Sequence, residues 1–478
     1  MSGVSVSPVE ASTVSEWAGE ADVVVVGFGV AGACAAYEAA VAGASVAVLE
    51  RAGGPGGAAA LSDGMIYLGG GTSTQLAAGV ADTPQAMKAF LMAACGPAPD
   101  ETKIDLYVER SIEHHDWLLA RGVRFLGTVN PLSAGPSAAE GEGLMYTGGE
   151  NAWPFDQVAR PAQRAHVTQG GRPGGAALMA ALSDAAVAAG AKPVYDSQAR
   201  QLIVDGGRVV GVLARQYGKL RAIRASRGVV LTAGGFAFDD ELLRAHAPAA
   251  LRTQTRLGTD GDDGQGIRMA QAAGARTKRM DSLECALPFN MVRGNVFGIL
   301  VNGLGRRFVN EDTYMGRVGQ AALREDEVYL VLDEAHHTPG AFRGQTTPAV
   351  GTPADLETEL GLPAGSLGAT LTYYNEHAAR GEDPLFHKRP PWLTPLTGLL
   401  AAFDLRPQRF PNAVFTLGGL DTRPTGEVID VGGEPIPGLY AAGRTTSGVA
   451  ARGYCSGLSL GDGSLFGRLA GRTAAGRN

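Results

Sequence analysis

Three glycines in the run GFGVAG, Gly27, Gly29 and Gly32, are spaced to hold a pair of phosphates against the main chain. Gly27 permits a tight turn, Gly29 lets a pyrophosphate reach the backbone, and Gly32 lets the next helix close on the strand before it. Val30 and Ala31 would open that helix, supplying unpaired N–H groups and the positive end of its dipole. Glu50 is placed to accept hydrogen bonds from an adenosine ribose diol, and its charge would repel a 2′-phosphate. The chemistry these residues predict is capture of a dinucleotide.

Such a grip needs a strand, a helix and a second strand to position it. Val23–Val26 is a short, wholly apolar, β-branched run, as a buried parallel strand requires. A small-residue helix over about Ala31 to Ala42 should follow, ended by Gly43, and Ser45–Leu49 reads as the strand that delivers Glu50. No second unit of this kind is expected. Gly69 to Gly71 lack an apolar strand immediately before them, and Gly303 and Gly305 sit in a loop ahead of Arg306 and Arg307. One fingerprint predicts one resident cofactor, with the electron partner entering elsewhere.

Further glycine-rich segments favour FAD over a nicotinamide dinucleotide. ERAGGPGGAA carries Arg51, Gly57 and Ala58 in a loop suited to follow the pyrophosphate and ribityl chain. GVVLTAGGF is a buried strand breaking at Ala233 and Gly234, and GLYAAGR repeats that logic at Gly443. Ser459, Leu460 and Gly461 should open the C-terminal helix, where their N–H groups could face the pyrimidine carbonyl of a flavin. No histidine sits in a motif for a covalent flavin link, so FAD is expected to be held non-covalently. His114 and His115 read as a solvated helix face, His336 and His337 as loop residues.

At 478 residues the chain should form two or three domains. A net charge of −7 without any lysine or arginine cluster excludes nucleic acid as the expected partner. Four scattered cysteines offer no metal-binding spacing and predict reduced thiols in the cytoplasm. Residues 1–20 lack a basic start and an apolar core, and read as a polar tail rather than a signal peptide. The best candidate for a membrane span, Ala31 to Leu49, is interrupted by Glu38 and Gly43.

The order of GFGVAG, ERAGGPGG, TAGG, GLYAAG and SGLSLGDG resembles the fumarate reductase and 3-ketosteroid dehydrogenase superfamily over about Ala21 to Gly471. The resemblance implies an α/β fold: a Rossmann-like FAD-binding domain (residues 21–284 and 405–478) with an inserted α+β substrate-capping domain (285–404). NGLGRRFVNEDTY and LTYYNEHAARGEDPLFHK, inside the insertion, are similar to capping-domain segments. Fumarate reductases bind a dicarboxylate with cationic side chains, and many carry an Arg-Asp pair downstream of the RRF motif. Here Arg317 is followed by Val318, and the tail reads Arg452-Gly453-Tyr454-Cys455-Ser456-Gly457. That pattern is more similar to 3-ketosteroid dehydrogenases of the 4(5) type, which implies Tyr454, Ser456 and Tyr314 as catalytic residues.

Tyrosines suit desaturation next to a ketone, which removes an α-proton and transfers a β-hydrogen as hydride. Free tyrosine ionises near 10, so tyrosinate at pH 7 costs roughly 4 kcal/mol. A hydrogen bond from Ser456 to the Tyr454 phenolate or a relay through Tyr314 would lower that cost; Arg452 could help by charge, or be simply a surface residue or ion-pair partner. The substrate expected is a small, apolar, steroid-like ketone. A 1(2)-dehydrogenase, a fumarate-reductase-like reductase of an unsaturated acid or ketone, and a flavin-binding redox sensor remain alternative readings. The electron acceptor is open.

Overall fold

The computed structural model describes residues 6–130, 143–170, 174–338 and 347–476. Its main body is a nine-stranded mixed sheet built around Trp17–Val26, which lies parallel to both Lys219–Leu231 and Val46–Leu49. Val23 and Val25 enter one apolar core while Val24 and Val26 enter another, so helices and loops cover both faces. A continuous β-branched run is what a strand buried on both sides demands.

Two expectations for the N-terminus change. The central strand begins at Trp17 rather than Val23, and Val9–Glu10 pairs in parallel with the Ser197–Asp205 strand. Sheet hydrogen bonds recruit backbone regardless of side-chain polarity, so parts of the expected tail, Val9–Glu10 and Trp17 onward, belong to the main sheet.

The helix after the first glycines spans Val30–Val41, and Gly43 beyond it takes a φ of 86°. It packs along the C-terminal helix Leu458–Ala474. The contact is close because Gly467 and Gly471 bear no side chain: a Cβ on either would strike the backbone of Ala31 or Ala35. That packing fixes the starts of both helices against the same cavity.

A second body is a four-stranded antiparallel sheet of Ile299–Asn302, Val328–Asp333, Leu400–Asp404 and Ala349–Gly351. Ile299, Val301, Tyr329 and Val331 pack in one core with the helices Pro353–Leu360 and Ser366–Ala378. Leu300, Val328, Leu330 and Leu332 pack in another, with Val318 and Ala322 of the helix Met315–Ala322. Between the bodies the chain crosses twice, and the crossings pair with each other: Leu283–Ala286 runs antiparallel to Ala413–Thr416, which also holds Thr255–Arg256.

A strand, Met65–Tyr67, does precede Gly69, against expectation. It belongs to a three-stranded antiparallel sheet and leads into a five-residue helix, Ser73–Ala77, so it is not a second dinucleotide-binding unit. His114 and His115 are both fully buried rather than solvated. The His114 ring lies 2.7 Å from Ser464 Oγ and the His115 ring 2.8 Å from Thr74 Oγ1. Among the described residues no helix is long and apolar enough to cross a membrane, and no group of three His, Cys, Asp or Glu is placed to hold a metal.

Candidate active site

One cavity of about 880 Å³ runs along the carboxyl ends of the central strands, and most of the singled-out residues line it. At one end are Gly27, Gly29, Val30 and Ala31, facing Gly57 and Ala58. A Cβ built on Gly29 meets only the Gly56 carbonyl, at 3.7 Å, so it would fill the space a phosphate needs. Gly32 does not line the cavity. A Cβ there would strike the Gly27 carbonyl, so its bareness serves the close turn between strand and helix.

Glu50 is buried, and its two carboxylate oxygens accept from Phe28 N at 2.7 Å and Ala52 N at 2.8 Å. These bonds tie the fingerprint turn to the following loop and leave further lone pairs on each oxygen for a ribose diol. Arg51 lines the cavity but is paired with Asp263 at 3.0 Å. Ala233, Gly234 and Gly443 close the opposite wall, where Asp262 accepts from Gly235 N and pairs with Arg444 at 2.8 Å. The glycine turns, the helix starts and the acid beneath them fit an FAD.

The other end of the cavity is chemically different. Tyr314, Tyr454, Ser456 and Glu284 meet there beside Ala286, Met315 and Phe415. Tyr314 comes from the inserted segment, immediately before the helix Met315–Ala322, and Tyr454 and Ser456 from the loop entering the C-terminal helix. Tyr314 Oη donates to Glu284 Oε1 at 2.8 Å and lies 2.9 Å from Ser456 Oγ. Tyr454 packs edge-on against Phe415, and its phenolic oxygen accepts from Ser459 N at 3.2 Å.

The hydrogen bonding therefore differs from the expected pattern in two respects. The Ser456 hydroxyl meets Tyr314, while the expected partner, Tyr454, receives a backbone N–H instead. Ser459, expected to aim that N–H at a flavin carbonyl, spends it on the phenol. Arg452 takes the ion-pair alternative, bonded to Asp281 and half-exposed.

Burial dominates the electrostatics of this end. It pushes the Tyr454 phenol up to about 12, against the opposing pull of the Ser459 hydrogen bond. Tyr314 is pushed well above the ordinary tyrosine range, first by burial and then by the nearby Glu284 charge. Burial likewise raises Glu284 to about 7, with the Tyr314 hydroxyl and the Arg317 charge opposing it. One lining cation, Arg444, reaches the Phe415 ring of this end and its charge acts on Tyr454, but it is already paired with Asp262. The arginines on the cavity wall, Arg51, Arg256 and Arg444, each pair with an aspartate.

Glu284 is the site residue that sequence reasoning missed. Its signal is a lone carboxylate inside an apolar stretch, Leu283-Glu284-Cys285-Ala286-Leu287, which desolvation forbids unless the acid has a partner or a task.

Comparison with known proteins identifies the family. A family described as "FAD binding domain" matches residues 22–460. The 4-oxocyclohexanecarboxylate 2-dehydrogenase of Sinomonas cyclohexanicum is 28% identical, over 95% of this chain and 93% of that protein. The 3-oxo-5-alpha-steroid 4-dehydrogenase of Comamonas testosteroni is also 28% identical, over 90% and 93%. The crystal structure of 3-ketosteroid-delta4-(5alpha)-dehydrogenase from Rhodococcus jostii RHA1, in complex with 4-androstene-3,17-dione, superposes with a TM-score of 0.92. It shares 48% identity over 98% of this chain and 100% of that one. The chain belongs to this FAD-binding family, in which it is similar to the 3-ketosteroid dehydrogenases, and it is an FAD-dependent oxidoreductase.

Proposed function

We propose that this enzyme introduces the 4(5) double bond into a saturated 3-keto-5α-steroid. The observation that carries the reading is the cluster of Tyr454, Ser456, Tyr314 and Glu284 in an apolar pocket end whose neighbouring arginine, Arg444, is already paired with Asp262. A dicarboxylate would need arginines where this site places a carboxylate, which argues against a fumarate-reductase-like activity. The delta4-(5alpha) activity of the 48% identical Rhodococcus enzyme, and its complex with 4-androstene-3,17-dione, support the substrate class and the ring position.

The FAD is held without a covalent bond, by the Gly27–Ala31 turn, Glu50 and the start of the C-terminal helix. Residues 285–404 act as the substrate cap, delivering Tyr314 to residues of the FAD domain. The four buried thiols support a cytoplasmic site of action. When bound, the flavin accepts the β-hydrogen as hydride.

The chain's own residues manage the α-proton. Tyr454 receives it. With the phenol at about 12, a resting tyrosinate at pH 7 would cost about 7 kcal/mol, so Tyr454 starts protonated and must shed its own proton as it takes the substrate's. The Ser459 N–H steadies the negative charge that develops on the phenolic oxygen during that exchange. Phe415 and the apolar lining exclude water from the reacting carbon.

The test is anaerobic incubation of the yellow holoenzyme with a saturated 3-keto-5α-steroid. Bleaching, with a product two hydrogens lighter and its double bond at 4(5), is expected. A flavin that stays yellow, or a 1(2) product, overturns the reading.

A further inference from the structure

Glu284 is an ionisable group in the catalytic end with no role in the chemistry described so far. It sits on the crossing strand Leu283–Ala286, opposite Phe415, and only 1% of its surface is exposed. One oxygen, Oε1, accepts from Tyr314, while the other, Oε2, is buried with no hydrogen-bond partner. A buried carboxylate oxygen without a donor is costly, and fold stability alone gives no reason to keep it. The local backbone is also shaped for it. Gly316 has to be bare, because a Cβ there would overlap both the Glu284 carboxylate and the Tyr314 ring.

The hydroxyls around it share a limitation. Tyr454 and Tyr314 both ionise far above neutrality in this pocket, and a serine hydroxyl does not ionise in water's range. They can pass a proton along but none can keep it. The continuous path Ser456 Oγ, Tyr314 Oη, Glu284 Oε1, with steps of 2.9 and 2.8 Å, ends on a carboxylate that can.

We propose that Glu284 is the terminal proton acceptor of this site, acting through Tyr314. This inference rests on the dehydrogenase reading above. The substrate α-C–H bond breaks and leaves its electron pair on the substrate. The proton goes to Tyr454, which with the steroid bound hands its own proton to Ser456 on the same cavity, the one step not already bridged by a hydrogen bond; Ser456 and Tyr314 each pass one on, and one new O–H bond forms on Glu284. The count balances: one C–H lost, one carboxyl O–H gained, no net change at the hydroxyls. Glu284 must therefore be ionised when the steroid binds. The groups facing it are Tyr314 and Arg317 from the helix side, Tyr454 and Cys455 from the C-terminal loop, and its strand neighbour Cys285. Of these, Arg317 alone is charged at neutral pH, and it favours the ionised acid.

The experiment is rapid-mixing reduction of the holoenzyme by a 3-keto-5α-steroid across pH 5.5 to 9. In the parent enzyme the rate of flavin bleaching should rise tenfold per pH unit and level off near 7. Glu284→Gln keeps the shape and an acceptor for Tyr314 but cannot take a proton. It should bleach about 100-fold more slowly, with the inflection gone, while flavin content and steroid affinity stay unchanged. Glu284→Asp should restore an inflection. Should Glu284→Gln fail to retain flavin, Tyr314→Phe cuts the same path with Glu284 in place, and it too should lose the inflection. A Gln variant, or in its absence a Phe variant, that keeps the parent rate and inflection overturns the role of Glu284 alone. A parent enzyme that no 3-ketosteroid bleaches at any pH overturns the dehydrogenase reading instead.

Discussion

The two ends of the cavity are built by opposite means. At the dinucleotide end the work falls to backbone: glycines at 27, 29 and 57, helix starts, and carboxylates already satisfied by main-chain N–H groups or arginines. At the hydroxyl end it falls to side chains brought from three separate stretches of sequence, Glu284, Tyr314 and Tyr454 with Ser456, and one of their oxygens is left without a partner. The first end is stable because its polar groups are paired. The second is poised because one of them is not.

If that division is real, damage at one end should leave the property of the other intact. The largest effect is expected for Tyr454→Phe, which keeps the ring against Phe415 and deletes the phenolic oxygen. Turnover should fall by about 10²–10⁴, with flavin content and melting temperature nearly unchanged. Near-normal turnover with flavin in place would make the tyrosine structural and erase the contrast.

Next in size is a stability effect with a sign. The folded value of Glu284, about 7, lies above its unfolded value of 4.5. The fold thus favours the protonated form. Its full stabilisation is present below pH 4.5 and is lost as pH rises to 7, a swing of about 3 kcal/mol. Glu284→Gln does not titrate. Thermal melts should show the variant gaining on the parent enzyme from pH 4.5 to pH 8, and a constant difference would place the unpaired oxygen in contact with water.

At the other end, Glu50→Ala should weaken FAD retention by about 1.5–3 kcal/mol, measured as free flavin after dialysis. Once refilled with FAD, that variant should bleach with the parent pH dependence. The smallest effect belongs to Ser456→Ala, which removes one neighbour of Tyr314 and not the Ser459 N–H that serves Tyr454. Turnover should drop less than for either tyrosine variant, because a water admitted to the vacated space takes the serine's place in the relay, and a loss equal to that of Tyr454→Phe would mean that no water does so.

The same contrast explains what can be read from the chain alone. The strand, turn and helix around Gly27 are contiguous and locally determined, so their spacing predicts both the elements and the cofactor grip. Tyr454 and Ser456 stand next to the helix start they serve, and the resemblance of motifs brings Tyr314 in. Glu284 stays hidden because its strand pairs with Ala413–Thr416, far along the chain, and only that pairing turns it toward Tyr314. His114 and His115 mislead for a related reason. Neighbouring helix positions point about 100° apart, and both are buried only because the helix Glu101–Ala120 is covered on two sides, by Ser464 and by Thr74. The start of the sheet at Val9 and Trp17 rests on partner strands near residues 203 and 222, which no local pattern reveals.

The paired crossings carry one more consequence. Ala286 and Ala413 stand directly opposite each other in an antiparallel register. Topologically, everything between them is the loop of a hairpin, grown until it acquired a sheet and cores of its own. Replacing residues 287–412 with a tight two-residue turn would therefore close a geometry the strands already have. The shortened chain should still hold FAD while losing Tyr314, a natural starting scaffold onto which other caps, and so other substrates, could be grafted.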